Sequence, residues 1–297
     1  MNRRFFLKNT TLFAALAFLS KNSLAQLMTS GNLRMLSDDV GIFTEKGGTI
    51  AFLVTKEGIV VVDAQFPDTA PHFIEQVKEK FSNEFRYLIN THHHADHTAG
   101  NITFKGLVKD VAAHKNSIAN QLTVAKKSGN ENDILLPNVS FDNEGWKTDL
   151  GNSSIRTYYF GPAHTNGDSI VHFEKEQVAH IGDLCFNRKH PYIDKSAGAS
   201  VSGWIQVLEK IQHTFHQKTQ FICGHSGDGY DVLISHNDLA AYRHYLSNLL
   251  TFVEQGIKSG KTKEELIKTN IIPGSPEWTG EGINRPIEAA FEELSGR

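Results

Sequence analysis

Five of six consecutive residues in the first third of the chain have side chains of the types that can bind metal ions. The six residues read His92-His93-His94-Ala95-Asp96-His97. Imidazole nitrogen and carboxylate oxygen are ligands that a borderline cation such as Zn²⁺ accepts. Several such groups turned inward without a cation would be costly, because buried polar atoms need partners. The run therefore predicts a metal site, with His93 alternating away from His92 and His94 and facing outward.

The elements before this run predict how it is held. Residues 49–64 form two apolar stretches around the turn pair Glu57-Gly58, which is typical of a hairpin of buried strands. Residues 71–81 carry apolar side chains at helical spacing, and residues 87–89 predict a short buried strand that leads into the histidines. Ligands that directly follow a strand lie on a fixed scaffold, while the loop backbone lets them converge.

Strand and helix patterns alternate through the rest of the chain. Further strands are predicted at residues 108–113, 154–160, 169–173, 177–181 and 220–223, and helices at 117–127, 202–215 and 237–259. This alternation is typical of an α/β protein. The sequence contains neither an internal repeat nor a low-complexity linker, so residues 26–297 are expected to form one domain.

Later motifs complete a resemblance to a known family. The His-x-His-x-Asp-His run after a strand is followed by three further motifs: Gly161-Pro162-Ala163-His164, Gly182-Asp183 and Cys223-Gly224-His225. In these motifs and their order the chain resembles the metallo-β-lactamase superfamily, and the likeness extends over essentially all of residues 26–297. The resemblance implies that this region is a single catalytic domain, a four-layer αβ/βα sandwich of the α/β class.

The family's ligands, carried onto this sequence, imply a site for two metal ions. They form a first set, a second set and a bridge: His92, His94 and His164; Asp96, His97 and His225; and Asp183. Two cations about 3.5–4 Å apart can share a hydroxide, because coordination lowers the pKa of water to about 7. The resemblance implies two Zn²⁺ ions per chain, with iron or manganese as alternatives. It also implies that Asp96 is a catalytic residue that orients the nucleophile.

Three residues near the ligands are candidates for orienting them. Metal-bound imidazoles usually donate their outer N–H to a carboxylate or a carbonyl. Asp63 falls on the family's structural aspartate, and Thr165 and Asp168 lie close to His164 in sequence. Turn or cap roles are the alternative for all three.

Two residues that follow Asp183 are candidates for substrate binding. Arg188 could meet a substrate carboxylate, because its guanidinium matches the planar geometry of that group. Tyr192 could donate a hydrogen bond to an oxyanion. Surface or packing roles are the alternative for both residues.

Other histidines and both cysteines are given structural roles. Four histidines are predicted at the surface or at strand ends: His114, His172, His180 and His190. Cys185 and Cys223 each lie two residues from a ligand, and they are interpreted as small buried hydrophobic residues. A disulfide or a thiol near the metals is the alternative.

The resemblance implies a zinc-dependent hydrolase that uses a metal-bridging hydroxide to cleave an ester, thioester, lactone or related acyl bond. β-Lactam hydrolysis is an alternative, although lactamases of this fold place a cysteine or a serine where this chain has Asp183. Lactone hydrolases often place a tyrosine where this chain has Phe186. An iron-dependent oxidoreductase, similar to the persulfide dioxygenases of this fold, and a non-catalytic metal-binding protein are the further alternatives.

The N-terminus predicts export. Residues 1–25 carry four basic residues and no acidic one, together with the apolar run of residues 12–19, which is the layout of a signal peptide. Arg3 and Arg4 precede a Phe-Phe-Leu-Lys run that resembles the twin-arginine signal. We expect recognition by the export machinery, cleavage near Ala25, no membrane span afterwards, and a periplasmic or otherwise extracytoplasmic location. A general secretory signal is the alternative.

Composition narrows the class of partner. The 297 residues are 39% hydrophobic and 21% charged, with a formal net charge of −3. No block of like charge resembles a nucleic-acid-binding patch. A small-molecule substrate is therefore expected, and nucleic acid is not.

Overall fold

A computed structural model of the protein describes residues 32–151 and 153–296. The predicted signal peptide of residues 1–25 lies outside the described residues. Within the described part of the chain, no helix is both long enough and apolar enough to cross a membrane.

The first of two sheets contains seven strands in chain order. Its strands are β1 (Asn32–Met35), β2 (Val40–Thr44), β3 (Ile50–Thr55), β4 (Gly58–Val62), β5 (Phe85–Asn90), β6 (Asp110–His114) and β7 (Val139–Phe141). Strands β1 to β4 form an antiparallel meander, whereas β4 to β7 are parallel. Parallel neighbours need crossover connections. These contain α1 (Ala70–Lys80), the short α2 (Ala95–Thr98) with a 3₁₀ helix (Ala99–Phe104), and α3 (Lys115–Ser128).

The second sheet contains six strands in the order β13-β12-β11-β10-β9-β8. Its strands are β8 (Lys147–Leu150), β9 (Ser153–Tyr158), β10 (Ile170–Phe173), β11 (Val178–Asn187), β12 (Gln220–Ser226) and β13 (Leu233–Ile234). Only β11 and β12 pair in parallel, and α4 (Val201–Thr214) connects them. The remaining helices are α5 (His236–Lys258), α6 (Lys263–Leu266) and α7 (Asn284–Ser295).

Three apolar layers hold the molecule together. The middle layer joins the inner faces of the two sheets, with Val62 of β4 and Ile222 of β12 among its buried residues. A second layer packs α1 on the outer face of the first sheet through Phe73 and Val77. A third packs α4, α5 and α7 on the outer face of the second sheet, around the fully buried Trp204. Helix, sheet, sheet and helix thus form the expected four-layer sandwich as one domain.

Helix α5 illustrates why the sequence folds this way locally. Ser235 and Asp238 form its capping box, and the backbone N–H of Ser235 donates to the Asp238 carboxylate at 2.9 Å. Leu239, Leu246 and Val253 recur every seven residues, so they share one face of the helix and are buried against the second sheet.

The fold brings the ends of three strands and an irregular point within a fourth to one edge of the sandwich. Asp63 follows β4, and the histidine run begins two residues after the end of β5. On the second sheet, His225 lies near the end of β12, and Asp183 lies within its parallel neighbour β11. The register of β11 shifts around Gly182, which has a φ of +50°. This irregularity turns the chain at the residue directly before Asp183.

Candidate metal centre

The first set of predicted ligands converges around three imidazole nitrogens. His94 Nδ1 lies 3.1 Å from His92 Nε2 and 2.9 Å from His164 Nε2. Asp183 Oδ2 faces the same group, at 3.5 Å from His164 Nε2 and 3.9 Å from His92 Nε2. These four ligand atoms lie close enough together to share one metal ion.

The second set lies on the other side of the same carboxylate. Asp96 Oδ2 is 3.1 Å from His225 Nε2 and 3.7 Å from His97 Nε2. Asp183 Oδ1 lies 3.1 Å from His97 Nε2, and Asp183 Oδ2 lies 3.4 Å from His225 Nε2. Asp183 therefore contacts both sets, as expected of a bridging carboxylate, and the second set could hold its own ion.

A chain of hydrogen bonds through Asp63 orients one ligand of each set. His97 Nδ1 donates to Asp63 Oδ2 at 2.7 Å. The Thr91 hydroxyl donates to the same oxygen at 2.7 Å, so the Thr91 oxygen is free to accept from His92 Nδ1 at 3.1 Å. Asp63 has a φ of +64°, which is unfavourable for a residue other than glycine. Three hydrogen bonds to its carboxylate hold it in this conformation.

The other two ligands of the first set are oriented from a loop. His94 Nε2 donates to Asp194 Oδ2 at 2.9 Å, and His164 Nδ1 donates to the backbone carbonyl of Tyr192 at 2.8 Å. A neutral imidazole that donates from one nitrogen carries a lone pair on the other. The inner nitrogens of these rings are therefore set to accept a cation.

The protonation states of the first set also fit a metal. Burial lowers the pKa of His92 well below its ordinary value, and burial followed by the neighbouring His94 lowers the pKa of His164 to about 3. Both rings are thus neutral at physiological pH, as metal ligation requires. Within the described residues, His97 Nε2 and Asp183 Oδ1 are buried and lie 3.1 Å apart, but neither makes a hydrogen bond of acceptable geometry with the other or with any other group. Such atoms need an explanation, and a bound cation supplies one.

Charge in the second set is balanced around Asp183. Burial alone would raise the pKa of this carboxyl, but His225 and His97 outweigh burial and hold it well below its ordinary value. In return, burial would lower the pKa of His225, whereas Asp183 and Asp96 raise it to about 9. These imidazoles therefore compensate the buried carboxylate, and a bound metal ion would take over that role.

Glycine is required where the backbone passes behind the ligands. A Cβ atom on Gly224 would collide with Asp183 Oδ1, and one on Gly48 would overlap the His97 ring. Gly48 also donates its backbone N–H to the Asp96 carbonyl at 3.0 Å. The backbone at Gly48 and at Gly224 can therefore lie directly against the His97 ring and the Asp183 carboxylate.

The two predicted substrate-binding residues occupy different surroundings. Tyr192 is 46% exposed, and its ring centroid lies 5.4 Å from that of His94, at the mouth of the site. Arg188 instead donates to Asp238 Oδ1 at 2.7 Å and lies over the rings of Tyr230 and Trp278. Its guanidinium is engaged in packing the loop against α5 and makes no contact with the predicted ligands.

The other residues singled out near the ligands also have different roles, some beside the metal ligands and some purely structural. Asp63 orients His97 as expected. Asp168 accepts from the backbone N–H and the hydroxyl of Thr165, each at 2.7 Å, and so closes a turn. Cys185 and Cys223 are buried free thiols, and burial raises the pKa of Cys223 to about 12, which agrees with their interpretation as small hydrophobic residues.

The expectation that His93 faces outward is wrong. Its side chain is buried, and His93 Nε2 lies 3.5 Å from Asp194 Oδ2. The alternation assumed an extended strand, but β5 ends at Asn90 and residues 91–94 form a bend and a loop, in which Asp194 packs against His93.

Of the four histidines predicted at the surface or at strand ends, His114 is at a strand end, as the last residue of β6, and all four are buried: His114, His172, His180 and His190. The first three lie on strands whose sheets are covered on both faces. His180 Nε2 donates to the Thr49 carbonyl at 2.9 Å, and His190 Nδ1 lies 2.9 Å from the Tyr245 hydroxyl.

Asp194 is the functional residue that sequence reasoning missed. It is buried, and its carboxylate contacts both His93 and His94. It lies in an irregular segment 100 positions after His94, so no spacing points to it.

A cavity of about 560 Å³ opens beside the second set. Its wall includes His225 and Gly224, together with residues of β1, β2 and the segment after β12. Arg34 and Asp231 face each other across this wall and form two hydrogen bonds of 2.7 Å. Because this cavity adjoins the ligands, it is the natural place for a substrate.

Comparisons with known proteins agree with this architecture. The family model of the metallo-beta-lactamase superfamily matches residues 44–225. The metallo-beta-lactamase type 2 of Bacillus cereus is 28% identical over 189 residues, which cover 62% of this chain and 69% of that protein. A metallo-beta-lactamase from Pontibacter korlensis has a TM-score of 0.62 at 17% identity, covering 74% of this chain and all of that chain.

A larger structure shows the same fold at lower identity. The stereoselective inverting sec-alkylsulfatase Pisa1 from Pseudomonas sp. has a TM-score of 0.71 at 12% identity, covering 88% of this chain and 50% of that one. The match of the family model, the two-sheet sandwich and the ligand sets at its edge lead to one conclusion: the chain belongs to the metallo-beta-lactamase superfamily.

Proposed function

We propose that the protein is a zinc-dependent hydrolase that binds two metal ions and cleaves an ester, thioester, lactone or related acyl bond. The observation that carries this proposal is the position of Asp183 between two sets of ligands. His92, His94 and His164 would hold one ion, and Asp96, His97 and His225 the other. When bound, such a pair of ions lowers the pKa of a coordinated water and polarises an acyl oxygen.

The chain's own residues would prepare the reaction in three ways. Asp96 keeps a 28% exposed carboxylate, and although burial would raise its pKa, His225 and His97 lower it below the ordinary value. It therefore remains ionised and can accept a hydrogen bond from an attacking water. Tyr192 can donate its exposed hydroxyl to a substrate oxygen. The cavity beside His225 would receive the remainder of the substrate.

Esters, thioesters and lactones are favoured over β-lactams because of the bridging residue. Asp183 stands where lactamases of this fold place cysteine or serine. β-Lactam hydrolysis is kept as a second candidate, because the curated relative from Bacillus cereus is itself named a metallo-beta-lactamase. An extracytoplasmic location, proposed from residues 1–25, would suit either substrate class.

The test is a hydrolysis panel with zinc-loaded protein. It compares a carboxylic ester, a lactone, a thioester, a cephalosporin and a phosphodiester, with His94→Ala as the inactive variant. His213, an exposed histidine of α4, provides the matched control His213→Ala. We expect cleavage of the ester, the lactone or the thioester. His94→Ala should abolish this activity, and His213→Ala should retain it. Activity unchanged in His94→Ala would refute the proposed site, and cleavage of the cephalosporin alone would favour the second candidate.

A further inference from the structure

The ring of Phe186 touches one ligand from each set. It lies on β11, three residues after Asp183, and is only 4% exposed. Its centroid is 5.4 Å from that of His225 with an interplanar angle of 16°, so the two rings are stacked. The centroid of His164 lies 5.6 Å away at an angle of 57°.

His225 differs from the other four imidazoles in how it is oriented. The outer nitrogens of His92, His94, His97 and His164 each have a hydrogen-bond partner. No residue in the described ranges provides a partner for His225 Nδ1, and this ring is 15% exposed at the wall of the cavity. Hydrogen bonds of this kind normally fix the rotation of a metal-bound imidazole. Two rings pack against His225 instead: His97 meets it edge-on with centroids 5.5 Å apart, and Phe186 lies parallel to it. The parallel ring of Phe186 covers the face of His225 and so restricts its rotation.

From this asymmetry we infer that Phe186 is a positioning residue for His225, and that it sets the metal affinity of the second set. A flat ring packed at 16° restricts rotation of His225 and keeps Nε2 directed at Asp96 and Asp183. His164 does not depend on Phe186 to the same extent. Its Nδ1 is held by the Tyr192 carbonyl at 2.8 Å, and Trp204 also packs against its ring, with centroids 5.6 Å apart.

This inference rests on the metal-binding part of the proposed function, and one experiment separates the two. Zn²⁺ binding is titrated against a competing chelator in wild type, Phe186→Leu and Phe186→Tyr. The matched control is Phe221→Leu, because Phe221 lies in the same apolar layer, is fully buried, and its aromatic contacts are Phe215 and His236. Thermal unfolding of each metal-free protein is measured alongside.

We expect Phe186→Leu to bind the first Zn²⁺ as wild type does and the second at least about tenfold more weakly. Phe186→Tyr, which keeps a flat ring, should restore the second affinity. Phe221→Leu should lose thermal stability without separating the two affinities. If Phe186→Leu does not fold, Phe186→Met, which is of similar volume but lacks a flat ring, is measured instead.

Two outcomes would overturn the inference. One is a second Zn²⁺ affinity in Phe186→Leu equal to that of wild type. The other is an equal weakening of both affinities in Phe186→Leu and Phe221→Leu, because that would mean a general loss of packing. Failure of the wild-type protein to bind two Zn²⁺ ions is a different result, since it would refute the proposed function itself.

Discussion

Replacing Asp194 with asparagine should weaken metal binding without disturbing the fold. The Asp194 carboxylate has two separate tasks: Oδ2 accepts from His94 Nε2 at 2.9 Å, and Oδ1 accepts from the Ser196 hydroxyl and the Ala197 backbone N–H. Burial would raise the pKa of this carboxyl, but His93 and His94 hold it below its ordinary value, so it is ionised at neutral pH.

The size of the effect follows from the contact that is lost. In Asp194→Asn the amide oxygen can still accept the hydrogen bonds from Ser196 and Ala197. The amide NH₂ then faces the N–H of His94, so two donors oppose each other. His94 must then rotate or move its proton to Nδ1, and either change removes the lone pair from the first set. A hydrogen bond to a charged group contributes about 1.5–3 kcal/mol. Since about 1.4 kcal/mol is a factor of ten, Zn²⁺ affinity should fall about 10- to 100-fold.

The assay is chelator competition with Zn²⁺, with Ser196→Ala as the control. Ser196 is an exposed residue that donates to Asp194 Oδ1 at 2.6 Å and does not touch His94. The control should keep wild-type affinity. If Asp194→Asn also bound both ions as tightly as wild type, the argument that Asp194 fixes the ring of His94 would be wrong.

Three further predictions concern other parts of the chain. Gly224→Ala should lower Zn²⁺ occupancy in a binding titration, because its Cβ would collide with Asp183 Oδ1; full occupancy would contradict the packing described above. Burial lowers the pKa of His172 in the folded protein. Below about pH 6.5 the unfolded chain therefore binds more protons than the folded one, and stability decreases as the pH is lowered. His172→Phe should therefore reduce the loss of melting temperature between about pH 6.5 and more acidic pH. An unchanged dependence of the melting temperature on pH would exclude His172 as a cause. Lysines in place of Arg3 and Arg4 should block appearance in the periplasm, whereas normal export would indicate the general secretory route.

Sequence patterns predicted the elements that carry periodic apolar residues. The helix expected at residues 117–127 is α3, Lys115–Ser128, and its C-cap is Gly129, which has a φ of +66°. The helix expected at 237–259 is α5, His236–Lys258. Strand β11 runs to Asn187, beyond the predicted end at residue 181, because the register shift around Gly182 lets pairing with β12 continue through the ligand region.

Contacts between distant segments were not predictable in the same way. The ligand sets could be proposed because the family motifs name them, and the structure brings all seven residues together. Asp194 could not, since it meets His94 only through tertiary folding. The burial of His93 likewise depends on a distant segment, because Asp194 lies 3.5 Å from its ring.

Elemental analysis of the purified protein tests the central claim most directly. The protein is loaded with Zn²⁺, dialysed against a weak chelator, and compared with Asp183→Asn, which removes the charge that both ligand sets share. We predict close to two Zn²⁺ ions per chain in wild type and a clear loss in the variant. A wild-type protein that keeps no Zn²⁺, or a variant that keeps both ions, would contradict the two-metal account.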